Sequence, residues 1–94
     1  MYIRVAQVKY APSRSDEALA TVREPGIPGI RDAAGIGNAW WAMNRETGQA
    51  VAVGLWDTLE HASQTLASAE LQARLQELSV ERLGTTIYEV TDRI

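Results

Sequence analysis

The amino-acid sequence predicts an α+β protein with the ferredoxin-like element order βαββαβ. Segments in which apolar side chains recur every second residue alternate, in that order, with segments of helical periodicity. This order favours an antiparallel four-stranded sheet with both helices on one face. The 94 residues, of which 46% are hydrophobic, have room for one core. We therefore expect a single domain over residues 1–94.

The hairpin over residues 38–56 is the central element of this prediction. Apolar and aromatic runs flank residues 45–48, a loop with a glycine where a left-handed residue is needed. A register that pairs Asn44 with Ala50 sorts the side chains onto two faces. One face holds small residues and two indoles: Asn38, Trp40, Ala42, Asn44, Ala50, Ala52, Gly54 and Trp56. The other face is apolar: Trp41, Met43, Val51, Val53 and Leu55.

A strand and a helix precede the hairpin. Residues 2–10 are rich in β-branched and aromatic side chains, which favours a first strand. Ser13 and Asp16 have the spacing of a capping box at the start of a helix. That helix must end near Glu24, because Pro25 follows and disfavours helical geometry in the residue before it.

Two helical segments and a strand follow the hairpin. Asp57 and Glu60 suit the positive N-terminal end of a helix. The apolar stripe of this helix changes phase near Ser68, a good N-cap, so we expect a second segment to begin there. Gly84 should close the helical region, and residues 85–91 should form the last strand. In the helical segment that starts near Asp57, the apolar stripe consists of Leu59, Ala62, Leu66 and Ala69.

Composition and charge exclude several classes of partner. A net charge of −3, with nine scattered basic residues, argues against nucleic acid. With no cysteine and one histidine, we expect neither a disulfide nor a transition-metal site, and we predict no cofactor. No apolar run approaches the roughly 20 residues of a membrane span, and no signal-peptide core is visible. We therefore expect a cytoplasmic protein with no membrane partner.

The uncovered face of the sheet predicts self-association. Helices on one face leave the other face with large apolar groups, and an exposed apolar sheet of that extent marks an interface. The simplest closure is a two-fold dimer in which two sheets face each other.

The layout from the second strand onward carries a family resemblance. Pro28 and Gly29 precede the second strand, a turn of sequence RETG joins the hairpin, and Trp56 ends the third strand before a helix. A further helical segment starts at Ser68. This pattern resembles the antibiotic biosynthesis monooxygenase superfamily of dimeric α/β barrels. The resemblance implies a homodimeric barrel, and the superfamily includes cofactor-free oxygenases of polyketide quinol precursors and haem-degrading oxygenases.

The resemblance carries over one site residue. Trp56 matches the strand-end tryptophan of the quinone-forming members. Where those members have an asparagine, a tyrosine and an arginine, this chain has Ala52, His61 and Gln72. Haem-degrading members have a histidine iron ligand where this chain has Leu75, so the resemblance does not imply haem degradation.

Two tryptophans form the predicted binding site. Trp56 and Trp40 share the small-residue face, so they would wall a pocket and stack on a flat ring. Asn38 or Asn44 would orient the ligand, and we assign Asn44 and His61 to catalysis. Histidine is the only side-chain type that ordinarily titrates near neutral pH, so His61 is the candidate base.

Plainer interpretations of the same residues stay open. Leucines from the helices would fill the space beside Trp56 if the two indoles belong simply to the core, as aromatic residues most often do. His61 would then be an ordinary surface histidine on the first turn of a helix.

These expectations give three hypotheses of function. The leading one is a cofactor-independent monooxygenase of an aromatic, quinol-like or polyketide-like small molecule. Its substrate, once deprotonated, donates an electron to dioxygen in a dry pocket. The alternative is a non-catalytic small-ligand-binding or stress-related dimeric α/β-barrel protein, and the third is a structural dimer with filled pockets. An internal cavity beside Trp56 separates the first two from the third.

Overall fold

A computed structural model of the chain describes residues 1–64 and 67–94. Its sheet is antiparallel with strand order β2-β3-β1-β4, the ferredoxin-like arrangement, so the predicted α+β fold is confirmed. The elements in chain order are β1 (Tyr2–Lys9), α1 (Ser15–Thr21), α2 (Ile27–Arg31), β2 (Ile36–Asn44), β3 (Gln49–Trp56), α3 (Leu59–Ala62), α4 (Ala69–Glu77) and β4 (Glu81–Glu89).

The first helical region ends where proline dictates. Glu24 has the extended dihedral angles φ −159° and ψ 117°, as expected for a residue before Pro25. The start differs from the prediction, because α1 begins at Ser15 after a 3₁₀ turn, and its N-cap accepts no side-chain hydrogen bond. Ser15 instead donates from its hydroxyl to the carbonyl of Pro12 at 2.7 Å.

The hairpin has a different register from the predicted one. Asn44 pairs with Gln49 rather than with Ala50. Gly48, at φ +77°, donates its N–H to the Asn44 carbonyl at 2.9 Å, so the turn closes one residue earlier than expected. A shift of one residue moves a side chain to the other face of the sheet. Trp41 therefore shares a face with Trp56, and the predicted placement of Trp40 on that face is wrong.

The region after the hairpin keeps the predicted break at Ser68. Ser68 caps α4, accepting the N–H of Leu71 at 3.1 Å. The cap of α3 is Thr58 rather than Asp57, and it accepts the N–H of His61. One residue of the predicted stripe, Leu66, lies outside the described residues.

The last strand begins earlier than predicted, at Glu81 instead of residue 85. Helix α4 is followed by a turn in which Ser79 takes φ +52°. Gly84 therefore lies inside β4, next to a register irregularity opposite Gln7, and does not close the helical region. None of the helices in residues 1–64 and 67–94 is long and apolar enough to cross a bilayer.

The helices cover one face of the sheet. Ile30 of α2 and both Leu71 and Leu75 of α4 face the sheet surface that carries Trp41 and Trp56. The opposite surface is open, and Trp40 there is 52% exposed. The residues that the register places on this open face include Ile3, Val5, Gln7, Trp40, Ala42, Val51, Val53, Leu55, Thr86 and Tyr88.

Candidate functional site

A cavity of about 510 Å³ lies between the sheet and the covering helices. Its walls include Trp41 and Trp56, and its roof includes Ile30, Leu71 and Leu75. Small-molecule sites usually enclose about 300–1,000 Å³. The cavity beside Trp56 that the enzyme and binding hypotheses both require is therefore present.

Small residues in the sheet leave this space open. Ala6 of β1 lies opposite Ala52 of β3, which in turn lies opposite Trp41 of β2. A Cβ atom on Gly54 would lie 2.9 Å from Nε1 of Trp56. The indole thus lies over the glycine, and the missing side chain of Gly54 is what admits it.

The indole N–H of Trp56 is a buried donor. The residue is 1% exposed, and Nε1 has no hydrogen-bond partner among residues 1–64 and 67–94. Leaving a buried donor unpaired costs roughly 1–3 kcal/mol. The N–H is enclosed by the sheet beside Gly54, so it helps to fix the packing of the cavity wall and is not open to a bound molecule.

Two guanidinium groups border the same cavity. Arg4 of β1 and Arg82 of β4 are the charged residues of its described lining, which contains no aspartate or glutamate. Arg4 is half-buried, and its Nη1 donates to the carbonyl of Gln64 at 2.8 Å. The polar part of the cavity is therefore positively charged, although the chain as a whole has a charge of −3.

His61 is paired with a carboxylate outside this cavity. Its Nδ1 lies 2.6 Å from Oδ1 of Asp57, and 36% of its side chain is exposed. The hydrogen bond to His61 lowers the pKa of Asp57. Gly35 packs against the pair, since a Cβ atom there would overlap both side chains. The pair could hold or relay a proton, but His61 is not among the residues that border the cavity.

The two asparagines lie away from Trp56. The side-chain oxygen of Asn44 accepts the N–H groups of Glu46 at 3.0 Å and Thr47 at 3.2 Å, which shapes the hairpin turn. Asn44 borders a separate, shallow cavity of about 300 Å³ at this end of the sheet. Asn38 is exposed on β2 and borders neither cavity.

The structure therefore brings one of the five predicted site residues, Trp56, to the large cavity. Trp40 lies on the open face of the sheet. Sequence reasoning missed Trp41 as its neighbour because the assumed register was off by one residue. It also missed Arg4, although a charged residue on the same strand face as Ala6 was a visible signal.

Metal binding has no support in the described part of the chain. Within residues 1–64 and 67–94, no group of three or more His, Cys, Asp or Glu side chains is placed to hold an ion.

Comparison with known proteins gives matches to solved structures alone. No family model matches the chain, and no curated protein matches it. The chain is similar to a putative antibiotic biosynthesis monooxygenase from Deinococcus radiodurans, with 18% identity, a TM-score of 0.77, and coverage of 100% of this chain and 96% of that one. HapK from Hahella chejuensis is 10% identical with a TM-score of 0.74, covering 99% and 95%.

A third similar structure is a dimeric ferredoxin-like protein from an uncultured marine organism. It is 10% identical, with a TM-score of 0.74 and coverage of 100% of this chain and 98% of that one. Identities this low establish the fold. The chain thus shares its fold with solved structures that are named as antibiotic biosynthesis monooxygenases, the family that its sequence resembles.

Proposed function

We propose that the chain is a cofactor-independent monooxygenase-like protein that binds a flat, quinol-like aromatic molecule in the cavity between Trp41 and Trp56. The observation that supports this most is the cavity itself, with small residues in its floor and indoles in its wall. The indole of Trp41 is partly exposed and is the one that can stack on a flat ring, whereas the buried Trp56 forms the wall behind it. The similar structures that are named as antibiotic biosynthesis monooxygenases suggest the chemistry.

The proposed reaction bonds one atom of dioxygen to a ring carbon. A dihydroxyaromatic substrate loses a phenolic proton and donates electrons to dioxygen. In the keto form of this substrate one ring carbon is a CH₂ group; a carbonyl oxygen from dioxygen replaces its two hydrogen atoms, and these leave with the second oxygen atom as water. The protein would contribute a dry cavity and hydrogen bonds to the developing anion.

Oxygen uptake in the presence of dihydroxyaromatic compounds tests this proposal. We expect one dioxygen consumed per quinone formed, and loss of this activity in Ala52→Leu, which fills the cavity floor. Ala73→Leu on the exposed side of α4 is the matched control and should retain activity. Uptake that is unchanged in Ala52→Leu would contradict a reaction in this cavity.

The assignment of His61 and Asn44 to catalysis stays a prediction. Neither residue borders the cavity beside Trp56, so kinetics must decide their role. His61→Ala and Asn44→Ala should each lower turnover if the assignment holds. Full turnover in both variants would show that the assignment is wrong.

A non-catalytic binding protein is the second candidate. The described residues that border the cavity include no Asp, Glu, His, Lys, Cys or Tyr, so no side chain with an ordinary general-base role faces a ligand there. Saturable binding of aromatic compounds without oxygen uptake by any of them would favour this candidate.

We also propose a homodimer formed through the open face of the sheet. That face carries Trp40 and Tyr88, which are 52% and 55% exposed, beside several aliphatic side chains. Exposed apolar patches of this kind mark interfaces. One of the similar structures is named as a dimeric ferredoxin-like protein, which supports association of two copies.

A further inference from the structure

We infer that the molecule bound in the large cavity is an anion, an aromatic carboxylate whose charged group pairs with Arg4. This inference rests on the proposed binding function and adds the charge of the ligand. It follows from the placement of Arg4, from the absence of an acidic partner among the described residues, and from a second arginine, Arg82, that borders the same space.

Arg4 lies in the middle of the sheet, facing the cavity. It is opposite Gly54 on β3 and opposite Ile87 on β4. One hydrogen bond of 2.8 Å, from Nη1 to the Gln64 carbonyl, holds the guanidinium. A guanidinium has five N–H donors, so this bond orients the group and leaves donors for a ligand.

No carboxylate neutralises Arg4 within residues 1–64 and 67–94. Three other arginines form ion pairs with carboxylates there: Arg14 with Glu17, Arg45 with Asp16, and Arg74 with Glu70. Each of those pairs has an exposed carboxylate partner, whereas Arg4 is half-buried and has none. A partly desolvated charge is costly without a counter-charge, which favours a negatively charged partner in the cavity.

A second guanidinium favours oxyanions in the same cavity. Arg82 adds a positive charge from the exposed strand β4, and its five N–H donors suit carboxylate oxygens. A carboxylate offers two oxygens in the plane that suits the guanidinium fork. The apolar walls meanwhile require that the rest of the molecule be flat and hydrophobic.

Calorimetric titration with 2-naphthoate and with its neutral isostere 2-naphthamide tests this inference. We expect the wild type to bind naphthoate about tenfold more tightly, the size of one charge-assisted hydrogen bond. Arg4→Gln should remove most of that difference, because it weakens naphthoate binding far more than naphthamide binding. Arg23→Gln, which makes the same charge change on an exposed residue away from the cavity lining, should behave as wild type.

A second variant is needed in case Arg4→Gln does not fold. If Arg4→Gln loses both ligands, Arg82→Gln decides, since Arg82 is exposed and its replacement is tolerable. It should weaken naphthoate binding about threefold, and added salt should weaken naphthoate binding but not naphthamide binding.

The outcomes distinguish failure of the anion inference from failure of the proposed aromatic binding function. Equal affinity of the wild type for both compounds would overturn the anion inference and leave the binding cavity intact. Salt-independent naphthoate binding, unchanged in Arg82→Gln, would overturn it as well. Failure of the wild type to bind either compound would contradict the proposed aromatic binding function together with the inference.

Discussion

Gly54 is the residue on which the position of Trp56 depends. A methyl group at this position would lie 2.9 Å from the indole nitrogen, and the buried ring would have to shift. We expect Gly54→Ala to lower the free energy of unfolding by about 1–3 kcal/mol, as overpacking does. Urea denaturation measures the change.

Gly37→Ala is the matched control for that substitution. Its added carbon would meet its nearest neighbour, the Leu55 carbonyl oxygen, at 3.5 Å, an ordinary contact. The stability of Gly37→Ala should stay within about 0.5–1 kcal/mol of the wild type. Equal destabilisation by both substitutions would contradict the packing of the indole over Gly54.

The pair of Asp57 and His61 makes stability depend on pH. The pKa of Asp57 is lowered in the folded state, first by its hydrogen bond to His61. The ionised Asp57 therefore stabilises the fold at pH values above the ordinary aspartate pKa of about 3.9. This stabilisation is lost as the pH falls from that value through the lowered pKa of the folded state. The melting temperatures of wild type and Asp57→Asn should therefore differ at pH 6 and converge toward pH 3.

Asp92→Asn near the C-terminus serves as the control for this comparison. Asp92 is exposed and, among the described residues, makes no side-chain hydrogen bond. A difference between wild type and Asp57→Asn that stays constant from pH 6 to pH 3 would contradict the linkage.

The elements of the fold were predictable because each is encoded locally. Period-two alternation identified the strands, Pro25 fixed the end of the first helical region, and Ser68 marked the start of α4. The boundaries of the elements differ from the prediction at the last strand. The last strand extends back to Glu81 because a turn at Ser79, which has no strong sequence signal, ends the helical region early.

The candidate site was harder to predict because it depends on register. The closure of the turn at Gly48 decides whether Trp40 or Trp41 faces the helices. Both tryptophans are compatible with the same local sequence, so only pairing across strands distinguishes them. Arg4 acquires its role through contacts with residues far along the chain, which periodicity does not reveal.

Helix α4 forms the roof of the cavity, and Ser68 begins it. Its hydroxyl accepts the N–H of Leu71 at 3.1 Å, so Ser68→Ala should cost about 1 kcal/mol in unfolding free energy. Thermal or urea unfolding provides the measurement. Ser13→Ala is the control, because Ser13, a predicted cap, makes no side-chain hydrogen bond to the described residues. Equal effects of the two would contradict the capping role.

The whole molecule has an open apolar sheet face, from which we propose a dimer. Trp40→Glu and Tyr88→Glu each place a charge on that face, where burial in an interface would be costly. We expect light scattering to give a dimer mass for the wild type and a monomer mass for either variant. Gln76→Glu on the exposed surface of α4 adds the same charge and should remain dimeric. A monomeric wild type at micromolar concentration would contradict the proposal.

The central claim is that the cavity between Trp41 and Trp56 binds a flat aromatic molecule. The most direct test is titration of the intrinsic tryptophan fluorescence with a panel of polycyclic phenols and quinones, corrected for ligand absorption. We predict saturable quenching of the wild type and of the control Ala73→Leu, with at least a tenfold weaker affinity in Ala52→Leu, because the added side chain occupies the floor. Quenching that fails to saturate, or that is equal in Ala52→Leu, would contradict binding in this cavity.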